Sequence, residues 1–95
     1  MSLVTFSPAA AADLDNIWDY TDEEWGSDQA DRDTDDIQNT CISLAHGKTR
    51  GRDVDVRSGY LKHVVGKHFV FFRMTEAGIE VIRILHQSMD VGRHL

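Results

Sequence analysis

The chain reads as an α+β domain of order β-α-α-β-β-β, with a helical hairpin packed on one face of an antiparallel sheet. Three observations predict this. Apolar residues recur at helical spacing through residues 8–45 and then at a period of two from residue 60 onward. The joins between the predicted segments are mostly a few residues long, which forces sequential elements to run antiparallel. Two runs of helix followed by three runs of strand give segregated layers rather than alternating βαβ units.

Each element follows from its local residues. Val4 and Phe6 flank Thr5 in a short alternating strand. Ser7 can cap free helical amides, and Pro8 fits a first helical position. Leu14, Ile17, Trp18, Thr21 and Trp25 then form one stripe, with Asp13, Asp15, Asp19, Asp22 and Glu23 on the other side. Trp18, Tyr20 and Trp25 are expected to pack between helices. Gly26 ends this helix by taking the left-handed conformation without steric cost. Ser27 or Asp28 is expected to cap a second helix, whose stripe is Ala30, Ile37, Cys41, Leu44 and Ala45 before Gly47 closes it. Asp33 and Thr34 stand where that stripe calls for an apolar residue, so the helix is either exposed or locally weak there. Residues 47–58 read as a polar loop. Tyr60 to Val65 is a strand, Gly66-Lys67 a tight turn, His68 to Met74 a second strand, Thr75 to Gly78 a turn, and Ile79 to Gln87 a third strand.

Composition bounds the function. Residues 1–95 are expected to form a single domain; 41% hydrophobic and 27% charged residues exclude a disordered or low-complexity chain. No apolar run approaches the roughly 18 residues of a membrane span, and the N-terminus has no signal-like pattern, so a cytoplasmic location is expected. The lone Cys41 reads as a small buried hydrophobe. The net charge of −6 hides an asymmetry: residues 8–46 hold eleven acids and one base, residues 47–95 nine bases and five acids. The second half can therefore face an acidic partner, while the overall acidity argues against non-specific nucleic-acid binding. The histidines at 46, 63, 68, 86 and 94 show no HExxH or Cys/His ligand spacing, and Gly47, Gly51 and Gly59 form no phosphate loop, so neither metal nor cofactor is expected.

Unbroken alternation divides the sheet into two faces. Leu61, His63, Val65, Val70, Phe72, Met74, Ile82 and Ile84 make the seat for the helices. Tyr60, Lys62, Val64, Phe69, Phe71, Arg73, Val81, Arg83 and Leu85 make the other. Phe69, Phe71, Val81 and Leu85 form an apolar set too large to stay bare. The expected cover is a partner segment or a second copy; the competing cover is residues 88–95 folding back.

Ser7-Pro8-Ala9-Ala10 with Asp13-Leu14 and Ile17-Trp18-Asp19-Tyr20 opens the first helix, and Trp25-Gly26 with Gln29-Ala30 spans the helix junction. Arg57-Ser58-Gly59-Tyr60 with Lys62, then Phe71-Phe72-Arg73, follow in the strands, and Arg83-Ile84-Leu85-His86-Gln87-Ser88-Met89-Asp90 with Arg93-His94-Leu95 closes the sequence. In these segments, and most strongly in the last, the sequence resembles the ParE branch of the RelE/ParE toxin superfamily over nearly its whole length. Asp33 and Thr34 depart from the family's apolar or aromatic pair. The resemblance implies the β-α-α-β-β-β toxin fold and a type II toxin–antitoxin system. It also implies a ParD-like ribbon-helix-helix antitoxin in a hetero-oligomer, with DNA reached only through the antitoxin. DNA gyrase is the implied target.

The RelE branch of the same fold cleaves mRNA on the ribosome, which needs an acid or base and cations for developing phosphate charge. Arg57, Lys62, Arg73 and Arg83 are the candidate cations, and Tyr60 or His86 the candidate acid or base. The acidic chain and a tail 88–95 without tyrosine weigh against that reading, so a non-enzymatic toxin is expected. An inactive antitoxin-binding module is a third reading. No catalytic set is assigned. The candidate contacts for target or antitoxin are Arg83, Arg73, Lys62, Tyr60, Arg57, Phe69, Phe71, Leu85 and His86. Arg83 leads them, since an arginine within an apolar strand costs free energy unless paired or solvated.

Overall fold

A computed structural model describes residues 3–53 and 59–95. The order is β1 Leu3–Phe6, α1 Pro8–Trp25, α2 Ser27–Ala45, β2 Arg52–Asp53, β3 Leu61–Val65, β4 His68–Met74, β5 Gly78–His86 and α3 Val91–His94. The sheet order is β1-β5-β4-β3-β2, with β1 parallel to β5 and the other pairings antiparallel. The expected order holds, with two additions. The two-residue β2 falls inside the stretch read as a polar loop, and one helical turn follows the last strand. Both are too short for periodicity to register.

The helical hairpin forms for the expected reasons at its first end. Ser7 accepts from the Ala10 amide at 3.0 Å and donates its hydroxyl to the Ile82 carbonyl at 2.7 Å, so one side chain caps α1 and ties it to β5. Gly26 ends α1 at φ 92° and ψ 167°, a positive-φ extended conformation open to glycine, in place of the expected left-handed helical one. It is also the N-cap of α2, so neither Ser27 nor Asp28 caps that helix: Ser27 is already helical, and no side chain supplies a cap bond. Ala30, Ile37, Cys41, Leu44 and Ala45 are all buried as expected. Thr34 is buried too, and no weak point results, because its hydroxyl bonds back to the Ala30 carbonyl at 2.9 Å. Asp33 stays half-buried and accepts from the Gln29 amide at 2.7 Å.

The main core lies between hairpin and sheet: Ala10, Ile37, Cys41, Leu44, Val70, Phe72, Ile79, Val81 and Ile84, flanked by Val4, Phe6, Leu14, Ile17, Leu61 and Val65. Val81 is therefore on the helix side, contrary to the strict alternation. The pairing slips between Phe71 and Phe72: Phe71 faces Arg83, Phe72 faces Val81, and Ile82 is the extra residue of a β-bulge. The bulge exchanges the faces of residues before and after it, so Val81 is misplaced by the sequence while Arg83, Ile84 and Leu85 are not. Gly78 is required where β1 meets β5, since a Cβ there would collide with the Leu3 backbone.

Two aromatic expectations fail. Trp25 is 75% exposed and Tyr20 66% exposed; neither packs between helices. Trp25 is the last residue of α1, and its stripe runs past the edge of the hairpin contact. Trp18 is half-buried and bridges the helices, donating its indole N–H to the Asp31 carboxylate at 2.9 Å.

Candidate partner-binding face and its internal cover

Sheet register brings most of the candidate residues to the face away from the hairpin. Lys62 pairs with Phe71, Val64 with Phe69, Phe69 with Leu85, and Phe71 with Arg83. Arg57 lies outside the described residues.

This face is not bare. Phe71 and Leu85 are fully buried, in a second small cluster with Tyr60, Phe69, Val91 and Leu95. The cover comes from the chain's own C-terminus. Asp90 caps the last helical turn by accepting from the Gly92 amide at 3.0 Å, and Val91 and Leu95, one turn apart, point to the same cluster. A partner is therefore not needed to hide Phe71 and Leu85: the competing cover, the C-terminal tail folding back, hides them in place of the expected partner segment or second copy. Only Phe69 and Val64 remain accessible apolar groups of this set. Val64 is 49% exposed, and the Lys62 ammonium lies 5.1 Å from the centre of the Phe69 ring.

Arg83 is anchored from two sides. Its Nε and Nη2 donate to Asp13 Oδ2 and Oδ1 at 2.7 and 2.9 Å, a two-point fork from strand to α1. Its Nη1 donates to the His94 carbonyl at 3.5 Å, at the edge of hydrogen-bond range. Asp13 Oδ2 also accepts from the Ile84 amide at 3.0 Å, satisfying strand backbone beyond the end of β1. The hydrogen bond to Asp13 raises the Arg83 pKa further above its ordinary value, against the opposing effect of burial. Sequence reasoning placed Asp13 on the solvated side and missed this role. The signal was present: Ala10, Asp13, Leu14 and Ile17 share the i, i+3, i+4, i+7 face that turns inward.

The remaining candidates are engaged locally. Arg73 pairs with Glu80 at 2.6 Å on an exposed edge. His86 is exposed; its Nδ1 lies 2.8 Å from Ser88 Oγ and 3.1 Å from the Ser88 amide nitrogen, shaping the turn after β5. Gln87 holds the same end down through its amide to the Lys67 carbonyl and its side chain to the Gly66 carbonyl. Cys41 is buried, and burial pushes its thiol up to about 11, away from nucleophile range. Among the described residues no helix is long and apolar enough to cross a membrane.

The comparisons with known proteins match this geometry. Residues 4–91 fit the family model "ParE toxin of type II toxin-antitoxin system, parDE". Toxin ParE1 of Mycobacterium tuberculosis is 45% identical over 91 residues, covering 94% of this chain and 93% of that protein. Toxin ParE1 of Caulobacter vibrioides is 40% identical over 90 residues with the same coverage. In structure, a chain of the chromosomal ParDE toxin–antitoxin system from P. aeruginosa superposes with a TM-score of 0.77 at 24% identity, covering 90% of this chain and 96% of that one. A YoeB–YefM complex chain from Staphylococcus aureus shares the fold at a TM-score of 0.57 and 16% identity, covering 90% of this chain and 97% of that one. A match over nearly the whole chain to one family model, with relatives of that name at 40–45% identity, shows that the chain belongs to the ParE toxin family of type II toxin–antitoxin systems.

Proposed function

We propose that this protein is a cytoplasmic toxin that arrests growth by binding DNA gyrase and blocking replication, and that a ParD-like antitoxin neutralises it in a hetero-oligomer. The observation that carries the reading is the similarity, at 40–45% identity over nearly the full chain, to proteins named Toxin ParE1. The state of the candidate cations supports binding over RNA cleavage. Among the described candidates, Arg83 is forked onto Asp13 and Arg73 is paired with Glu80. Cations committed in this way do not converge on a phosphate, as transition-state stabilisation of RNA cleavage requires. The antitoxin's place is the rim of the covered face, where Lys62, Phe69 and Val64 offer cationic and apolar contacts to an amphipathic segment.

Induced expression in a bacterial host tests this reading. Growth arrest is expected, relieved by co-expressing the product of a neighbouring short gene with a ribbon-helix-helix N-terminus. Primer extension on translated mRNA is expected to show no new 5′ ends; their appearance would replace gyrase binding with RNA cleavage. Unimpeded growth with soluble, folded toxin would leave an inactive antitoxin-binding module.

A further inference from the structure

We propose that His68 and His86 form a two-point binding site for a divalent transition-metal ion of the Zn2+ or Ni2+ kind. The two residues are directly opposite each other on the antiparallel pair β4 and β5, so their side chains share one face. Their rings meet edge to face with centroids 5.3 Å apart. Two imidazoles bound to one metal at about 2.0–2.1 Å each hold their centroids about 5 Å apart, so the pair has the separation of a chelating pair and needs ring rotation to turn one nitrogen of each toward a common point.

The surroundings suit a cation. Burial first, and the neighbouring His86 second, lower the His68 pKa, while the Asp33 carboxylate of α2 acts in the opposite sense and favours positive charge nearby. Ser88 Oγ at 2.8 Å can accept from His86 Nδ1–H, which would leave Nε2 for the metal and fix the ring, as outer partners of metal-bound histidines do. In the metal-free neutral ring the Ser88 amide at 3.1 Å is the donor to the same nitrogen, so metal binding exchanges one Ser88 partner for the other. Among the described residues no third His, Cys, Asp or Glu completes a three-donor cluster, so water takes the other positions and the site is open. Paired imidazoles favour Zn2+, Ni2+ and Cu2+ over Mg2+ or Ca2+, which prefer oxygen. The two histidines are eighteen positions apart in the chain, and only strand register brings them together.

Titration of the intact protein with Zn2+ or Ni2+, followed by histidine side-chain NMR, tests the site. The resonances of His68 and His86 are expected to respond first and saturate, ahead of His46, His63 and His94, with no response to Mg2+. His86→Gln, at an exposed position, is expected to keep the native fold by circular dichroism without metal and to weaken binding about tenfold or more; Ser88→Ala is expected to weaken it less. No saturable binding below about 1 mM, equal response of all five histidines, or unchanged affinity in His86→Gln would overturn the proposal.

Discussion

Asp13 accepts three hydrogen bonds, two from Arg83 and one from the Ile84 amide, and no other described side chain replaces it. Asp13→Ala leaves a half-buried guanidinium with only its long contact to the His94 carbonyl and a strand amide without a partner, and is expected to cost about 2–4 kcal/mol in urea unfolding. Arg83→Ala is expected to cost less, and the double variant less than the sum, since both disrupt one contact. Additive losses would mean that the fork carries no coupling. Loss of toxicity in Arg83→Ala is then read beside its stability, because the arginine ties β5 to α1. The sequence marked Arg83 as a residue that must be paired but not with what: its partner lies seventy positions earlier, and no local pattern links them. Cys41 gives a pH prediction. Its thiol ordinarily ionises near 9.0 but near 11 in the fold. Above pH 9 the unfolded chain loses a proton that the folded chain keeps, so stability is complete below pH 9 and falls as pH rises toward 11. Cys41→Ala should remove that alkaline loss, seen as a flatter melting-temperature profile between pH 8.5 and 10.5 than the parent's. An equal slope in both would remove Cys41 as its source.

At the scale of elements, the two helices and the three main strands were legible because each is long enough for its period to show. What escaped was set by neighbours. The bulge at Ile82 exchanges sheet faces through a slip of register, and the alternation of β5 alone carries no sign of it. The last turn, α3, is held mainly by Val91 and Leu95 against Phe71 and Leu85, with the Asp90 cap, so its own four residues predict nothing. Deleting residues 91–95 is expected to uncover Phe71 and Leu85, lowering the melting temperature and raising binding of the dye ANS. An unchanged melting temperature and dye signal would show that the segment covers nothing in solution. Trp25 ends α1 in solvent, so Trp25→Ser is expected to change stability by less than about 0.5 kcal/mol. A loss of several kcal/mol would restore the packing role first read for it.

For the molecule as a whole, charge and layers agree with a protein that acts by contact. The acidic half of the chain forms the helical hairpin, and the basic half forms most of the sheet with its C-terminal cover. Of the candidate cations, Arg73 and Arg83 are paired with the protein's own carboxylates, while the sheet face keeps a rim of Lys62, Phe69 and Val64. Family membership was legible because similarity accumulates over the entire chain. The candidate site was only half legible, since the cover by residues 91–95 and the Asp13–Arg83 fork are both products of tertiary contact. The most direct measurement is negative supercoiling of relaxed plasmid DNA by purified gyrase and ATP, with purified toxin titrated in. Loss of supercoiled product, or accumulation of cleaved DNA trapped with gyrase, reversed by the cognate antitoxin, is the expected result. Full supercoiling activity in the presence of folded toxin, from a preparation shown to arrest growth, would contradict the account.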